Sequence, residues 1–347
     1  MPLELWIASV ALAALIAYAL LGGADFGGGI WNLLAGGPRK EEQRQAVAHA
    51  MGPVWEANHV WLIFLIVLHF VCFPPAFAAV SVALFVPFHL ALIGIVLRGS
   101  AFVFRAHGAE ALRTGGPSSV HPLASARLWG RIFGVASTIT PFLLGMCLGA
   151  VSNGRLEVRE GVVVSGYWEP WLTPFCWSLG ALSLAICAYV AAVYLTLETE
   201  GETQEDFRRR ALWAAAVMAA LAALTALVAR WDAPRFWEAL AQPRVAPIQA
   251  LAVVLAALSA WAVYRRRYRL GRFAAAGQVA LVVIGWGAAQ YPYLVYPAYT
   301  LQETAAPDAT LSFVLWTLVP GGLLLIPSLA LLFYVFKGLP LRQTAEE

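Results

Sequence analysis

Charge is what this sequence has least of: 12% of its 347 residues are charged and 61% are hydrophobic, where soluble domains carry roughly a quarter charged residues. That shortage excludes an ordinary water-soluble globular chain. Cysteine is also scarce, and Cys72, Cys147, Cys176 and Cys187 lie in or beside apolar runs without the C-x-x-C spacing of zinc and redox motifs. They read as small buried hydrophobes. A basic n-region is missing from Met1-Pro2-Leu3-Glu4, and the apolar run that follows lasts about twenty residues, so it reads as a retained span and not as a cleaved leader. The net charge is only +3, and the basic residues sit in short loops without forming one patch, which leaves a nucleic-acid role unsupported. The longest outer connection, near Ser152–Pro170, is too small for a soluble catalytic module, and no repeat of about 20 to 50 residues is visible.

What remains is a polytopic, all-α membrane protein, a single integral-membrane domain over residues 1–347. Apolar windows predict about nine spans. They run near Leu3–Gly22, Val54–Cys72, Ala76–Arg98, Trp129–Val151, Trp171–Leu197, Ala211–Arg230, Ala246–Tyr264, Phe273–Tyr291 and Leu311–Phe336. The pair Pro74-Pro75 argues for a tight helical hairpin between the second and third. Pro87, Pro141, Pro320 and Pro327 fall within spans, where kinks free carbonyls for neighbouring groups.

Orientation follows from the loops, because Lys and Arg near span ends are retained on the cytoplasmic side. With the N-terminus outside and the C-terminus cytoplasmic, the inner loops hold Arg39, Lys40 and Arg44, the arginines from Arg105 to Arg131, Arg208–Arg210, Arg265–Arg272, Lys337 and Arg342. The outer side keeps only Arg155, Arg159, Arg230, Arg235 and Arg244. Trp6, Trp168, Trp171, Trp231 and Trp237 then fall at outer ends, and Trp55, Trp129 and Trp213 at inner ones, as an interfacial aromatic belt requires.

Two polar islands interrupt this apolar background: Gly22-Gly23-Ala24-Asp25-Phe26-Gly27-Gly28-Gly29 and Trp55-Glu56-Ala57-Asn58-His59-Val60-Trp61. In the predicted topology Asp25 ends the first span, Glu56 stands in the first turn of the second, and Arg98 ends the third, so three charges share one leaflet. Charge at membrane depth is costly and persists where something uses or screens it. One reading is a proton entrance from the cytoplasm, since buried carboxylates beside an arginine can take up and release protons. The other is structural. Glu56 complements a helix dipole after Pro53, Asp25 caps an interfacial turn, and Arg98 snorkels.

The glycine run lacks the strand and βαβ unit of a dinucleotide site, and reads as close backbone packing or a flexible turn. All six histidines precede residue 122, and His59, His69 and His89 lie in spans. His59 and His69 stand about 80° apart on the helix wheel and about 15 Å apart along the axis, a weak haem signal. Arg265-Arg266-Arg267-Tyr268-Arg269 reads as an anchor touching anionic lipid. The acidic stretch Glu198 to Asp206 reads as a solvated loop.

The strings around Asp25 and Trp55-Glu56-Ala57-Asn58, with Leu97-Arg98-Gly99-Ser100-Ala101-Phe102, resemble subunit II of the cytochrome bd quinol oxidase family. The segments Tyr291–Pro297 and Pro307–Leu311 are similar to that family's C-terminal pattern, so the likeness covers both ends of the chain. It implies a helical bundle in a bacterial or archaeal cytoplasmic membrane, paired with a homologously folded subunit I. That partner holds haem b, haem d and the quinol site, and reduces dioxygen to water. The resemblance gives subunit II no haem ligand or metal of its own. Its implied contributions are assembly of the haem-bearing complex, proton uptake from the cytoplasm and, in some members, a bound structural quinone; a small single-helix subunit also belongs to some such complexes. Asp25 and Glu56 match the family's acids, and Asn58, Trp61 and Arg98 its neighbouring positions. Val103 stands where many members carry an acid, which puts a route through that acid in doubt. Two other classes fit the buried acids: an ion-coupled secondary transporter, whose sites favour the midplane, and a purely structural haem-assembly partner.

Overall fold

The computed structural model describes residues 2–51, 55–114 and 122–335. Thirteen helices and two small hairpins follow one another in the order α1 (Leu3–Leu33), α2 (Lys40–Met51), α3 (Trp55–Cys72), α4 (Pro74–Ala83), α5 (Phe85–Thr114), α6 (Pro122–Ala150), β1 (Val158–Arg159), β2 (Val162–Val163), α7 (Pro174–Glu198), α8 (Gly201–Asp232), α9 (Pro234–Leu240), α10 (Ala246–Tyr264), α11 (Tyr268–Gln290), β3 (Tyr293–Val295), β4 (Tyr299–Thr300), α12 (Leu301–Thr304) and α13 (Asp308–Phe333). Among the described residues, 8 helices are long and apolar enough to cross a membrane, and the described part of α3, Ala57–Cys72, is apolar but shorter.

The first helix lies at the centre, packed against α3, α6, α7 and α11. It runs for 31 residues, about 46 Å, and so continues well past Gly22, where the apolar run predicts its end. Glycine costs about 1 kcal/mol in a helix interior, which is why the run reads as a turn. Here packing offsets that cost. A Cβ on Gly27 would lie 1.9 Å from the Cys187 carbonyl oxygen on α7, and one on Gly29 would lie 2.1 Å from Ser137 Oγ on α6. Of the two roles read for the glycines, close packing is the one the fold uses, and Asp25 sits inside a helix, not on an interfacial turn.

Neighbouring helices pair α5 with α6, α7 with α8, and α10 with α11. Among the described residues, the two largest of four buried apolar clusters fill the two ends of the interior. One, at the end where α1 begins, joins Ile7, Leu68, Phe73, Leu84, Met146 and Leu311; the other, where α1 ends, joins Trp31, Met51, Phe133, Tyr189, Phe207 and Met218. All four cysteines are buried and free. The outward faces stay apolar: Phe313, Trp316 and Leu324 on α13 are each more than two-thirds exposed, as lipid or protein neighbours require.

Three further boundaries differ from the sequence reading. The predicted third span, Ala76–Arg98, is divided at Leu84, because Pro87 has no N–H for the Ala83 carbonyl and its ring crowds that turn. The short α4 packs against β2, β3 and α12 and carries the reversal predicted at Pro74-Pro75; α5 then continues to Thr114, leaving Arg98 within the helix and not at its end. The acidic stretch after Glu198 is not a loop: Gly201, in the left-handed region at φ +60, turns the chain, and α8 begins at once. Trp171, assigned to the aromatic belt, is buried and donates its indole N–H to the Tyr167 carbonyl, whereas Trp6, Trp168 and Trp231 are exposed.

Charge knits the end where α1 stops. Arg39 forks onto Asp206, with Nε 2.9 Å from Oδ2 and Nη2 2.8 Å from Oδ1, and reaches Glu202 at 2.6 Å. The hydrogen bond to Asp206 chiefly holds the Arg39 guanidinium above its already high ordinary pKa. Gln43 donates to Asp206 and accepts from Arg210, and Glu205 binds Arg208 and Arg266. The connection after α1 is thereby tied to α8, and α8 to the α10–α11 turn.

Candidate functional site

Position on α1 and α3 decides what Asp25 meets. Asn58 lies in the first turn of α3 and donates its amide Nδ2 to Asp25 Oδ2 at 2.7 Å. Both side chains are buried. A carboxylate there loses most of its water, and a charge-assisted hydrogen bond returns part of what burial removes.

One residue further along α3 the direction changes by about 100°, and His59 meets the third helix of the set. Arg98 Nη1 donates to His59 Nε2 at 3.1 Å, which makes that nitrogen the acceptor and His59 the neutral Nδ1–H tautomer. Arg98 is 1% exposed. Its guanidinium carbon stands 5.2 Å from the centre of the Phe26 ring and 5.3 Å from that of Phe133, so two aromatic faces contribute where water cannot. Tyr18 and Phe26 close on His59 with ring centres 5.8 and 5.4 Å away. With Asn58 and His59, consecutive residues of α3 bind a buried acid and a buried cation.

The structure brings Asp25, Asn58 and Arg98 into one region, as their placement in the sequence suggests. Glu56 lies in the first turn of α3, but its side chain lies outside the described residues. Val103, on α5, is 43% exposed on the outer apolar surface, about 140° around the helix from Arg98.

Beside Asp25 is a cavity of about 80 Å³, room for a few waters. Three helices line it with the same i, i+3, i+4 pattern: Leu21, Ala24, Asp25 and Gly28 from α1; Val47, Ala50 and Met51 from α2; Ala191, Tyr194, Leu195 and Glu198 from α7. Asn58 and Arg272 complete it. Glu198, Tyr194 and Arg272 carry no mark in the sequence that links them to Asp25, because only the fold brings their helices together.

The three histidines within spans are each engaged by protein groups. His59 accepts from Arg98, and His69 and His89 bond through Nδ1 to the carbonyls of Leu65 and Phe85 on their own helices. Among the described residues no group of three His, Cys, Asp or Glu side chains could hold a metal ion. The cavity at Asp25 is far too small for a porphyrin, so the residues around it do not fit a haem.

A bundle of apolar helices that buries an acid and an arginine toward its arginine-rich end defines a polytopic membrane protein with an ionisable interior site. Residues 3–336 match the family profile described as cytochrome bd terminal oxidase subunit II, and the chain belongs to that family. Among curated relatives it is 26% identical over 208 residues to cytochrome bd ubiquinol oxidase subunit 2 of Bacillus subtilis, covering 60% of this chain and 57% of that protein. A putative cytochrome bd menaquinol oxidase subunit II of the same organism is 20% identical over 92% of this chain and 91% of its own length. Cytochrome bd-I ubiquinol oxidase subunit 2 of Escherichia coli is 25% identical over 58% of this chain and 51% of its own. The alignments to the two ubiquinol oxidase subunits thus span little more than half of those proteins. The fold is similar to a chain of the bd oxidase from Geobacillus thermodenitrificans, with a TM-score of 0.79 and 25% identity over 97% of this chain and 99% of that one.

Proposed function

We propose that this chain is the haem-free subunit of a bd-type quinol:dioxygen oxidoreductase, and that it carries protons from the arginine-rich, cytoplasmic side toward a partner that reduces oxygen. The partner, a haem-bearing subunit I, holds haem b and haem d and oxidises the quinol. Family membership supports the complex. The observation that supports the proton role is the buried Asp25, hydrogen-bonded to Asn58 beside a cavity at the arginine-rich end.

Reduction of dioxygen to water consumes one proton for each electron. A site enclosed by lipid and protein receives protons only through titratable groups and water that reach an aqueous side. Asp25 can bind and release a proton, and Asn58 holds the carboxylate in place. Arg98 balances the acid's charge within the same region, so the site need not bury a net anion. His59 fixes the guanidinium, and Phe26 and Phe133 exclude water from it. The chain also docks and supports the partner during assembly, a role consistent with the uncovered apolar faces of α13.

The test is Asp25→Asn in the whole complex, purified with its partner, scored for haem content by reduced-minus-oxidised spectra and for quinol-dependent oxygen uptake. The reading expects a full haem complement with turnover reduced at least several-fold. A colourless, partner-free preparation would overturn the oxidase assignment. A haem-replete Asp25→Asn complex at the parental rate would make the acid structural and move the proton route into the partner.

A further inference from the structure

The cavity beside Asp25 has a mouth that the proton role leaves unexplained. On α7, Ala191, Tyr194, Leu195 and Glu198 form one stripe facing it, and the stripe climbs about 10 Å from Ala191 to Glu198. Glu198 is the last residue of α7 and is exposed, whereas Asp25 and Asn58 are buried. The stripe therefore leads from solvent to the acid. Arg272, near the start of α11, lines the same cavity and stands 4.6 Å over the Tyr194 ring, a cation–π contact that holds the ring in place.

Chemistry narrows what each wall residue can do. Besides Asp25, the ionisable side chains lining the cavity among the described residues are Glu198, Tyr194 and Arg272. A guanidinium stays protonated and a phenol stays neutral at ordinary pH, so neither cycles a proton readily. A carboxylate in contact with water does. Glu198 also differs from its neighbours on the same rim: Glu202 binds Arg39, and Glu205 binds Arg208, Arg209 and Arg266.

Resting on the proton role of Asp25, we propose that Glu198 is the carboxylate through which protons from the aqueous phase reach this cavity, and that Tyr194, held by Arg272, is the collar between Glu198 and Asp25. Glu198 takes a proton from bulk water or buffer and passes it to cavity water. A proton then leaves that water for the Asp25 carboxylate. No net bond change occurs, and the carboxylate at the mouth is regenerated at each transfer. Arg272 is a positioning residue: it sets where the Tyr194 ring stands and so how wide the passage is.

The experiment uses the complete complex with its partner, and compares Glu198→Gln, Glu198→Asp, Glu202→Gln and Asp25→Asn for haem content and quinol-dependent oxygen uptake. Glu198 and Glu202 are exposed, so their variants assemble, and haem content scores assembly of Asp25→Asn separately. The expected result is a several-fold loss of turnover in Glu198→Gln at unchanged haem content, recovery of most of that rate in Glu198→Asp, and the parental rate in Glu202→Gln, a carboxylate of the same rim outside the cavity. Two outcomes overturn the proposal: Glu198→Gln at the parental rate, or equal slowing by Glu198→Gln and Glu202→Gln, which would make the effect one of general surface charge. If Asp25→Asn slows turnover while Glu198→Gln does not, protons reach Asp25 by another mouth and only this inference fails. If Asp25→Asn itself runs at the parental rate with full haem, the underlying proton role fails with it.

Discussion

Asn58 and His59 are consecutive on α3 and serve opposite charges: Asn58 donates to the Asp25 carboxylate at 2.7 Å, and His59 accepts from the Arg98 guanidinium at 3.1 Å. Removing either α3 side chain takes a hydrogen bond from a buried charged group. Asn58→Leu is expected to cost about 1.5 to 3 kcal/mol of stability, the usual worth of a hydrogen bond to a charged group. Arg98→Met removes a buried charge that balances an acid, and about 3 to 5 kcal/mol is expected. Thermal inactivation of the purified complex measures both, and equal midpoints for Arg98→Met and the parent would show that the guanidinium balances nothing.

The glycine run offers a graded comparison. Gly27→Ala would drive a methyl group into the Cys187 backbone, 1.9 Å away, and backbone cannot move aside; Gly28→Ala meets Met51 Sδ at 3.1 Å, the end of a flexible side chain. Gly27→Ala is therefore expected to cost more than the usual 1 to 3 kcal/mol of overpacking and to abolish the haem-bearing complex. Gly28→Ala should assemble at near-parental yield. Similar yields from the two variants would contradict the α1–α7 packing.

Val103 is a further test of the route. Because it faces outward on α5, about 140° from Arg98, a carboxylate placed there does not join the cavity beside Asp25. Val103→Asp in the Asp25→Asn background should leave oxygen uptake where Asp25→Asn put it. Restoration of the rate would reveal a second path along the outer face of α5.

Topology is checked independently of chemistry. Reporter fusions after Gly201 and Arg266 are expected in the cytoplasm, and fusions after Gly161 and Pro307 outside, because the arginines gather at one end. Two consistent results of opposite sign would invert the direction of proton uptake argued above.

Much of this was legible in the sequence, for a physical reason. A span must satisfy its own backbone hydrogen bonds in lipid, so apolar length alone reveals it, and a charge within such a run stands out. Asp25 and Arg98 stand out that way, and Asn58 is marked by the family resemblance. The failures came where local preference and tertiary packing disagree. Helix propensity places an end at Gly22, while the close approach of Cys187 and Ser137 makes those glycines the residues that fit. The charges after Gly201 resemble a loop until Arg39 and Arg266 arrive from distant segments to pair with them. Histidine near Trp61 suggested a ligand to weigh, whereas its use is to hold an arginine. Glu198 and Arg272 were invisible as a pair, since no local pattern records which helices will be neighbours.

Gly27 and Gly29 lock α1 against two different helices, and Asp25 lies just before them in the same turn of helix. Insertion of one residue between Asp25 and Phe26 would keep every residue of the site yet swing the carboxylate about 100° around the axis, away from Asn58 and out of the cavity. The chain can thus drift in composition along most of its apolar surface, but the count of residues across this short stretch is not free to change.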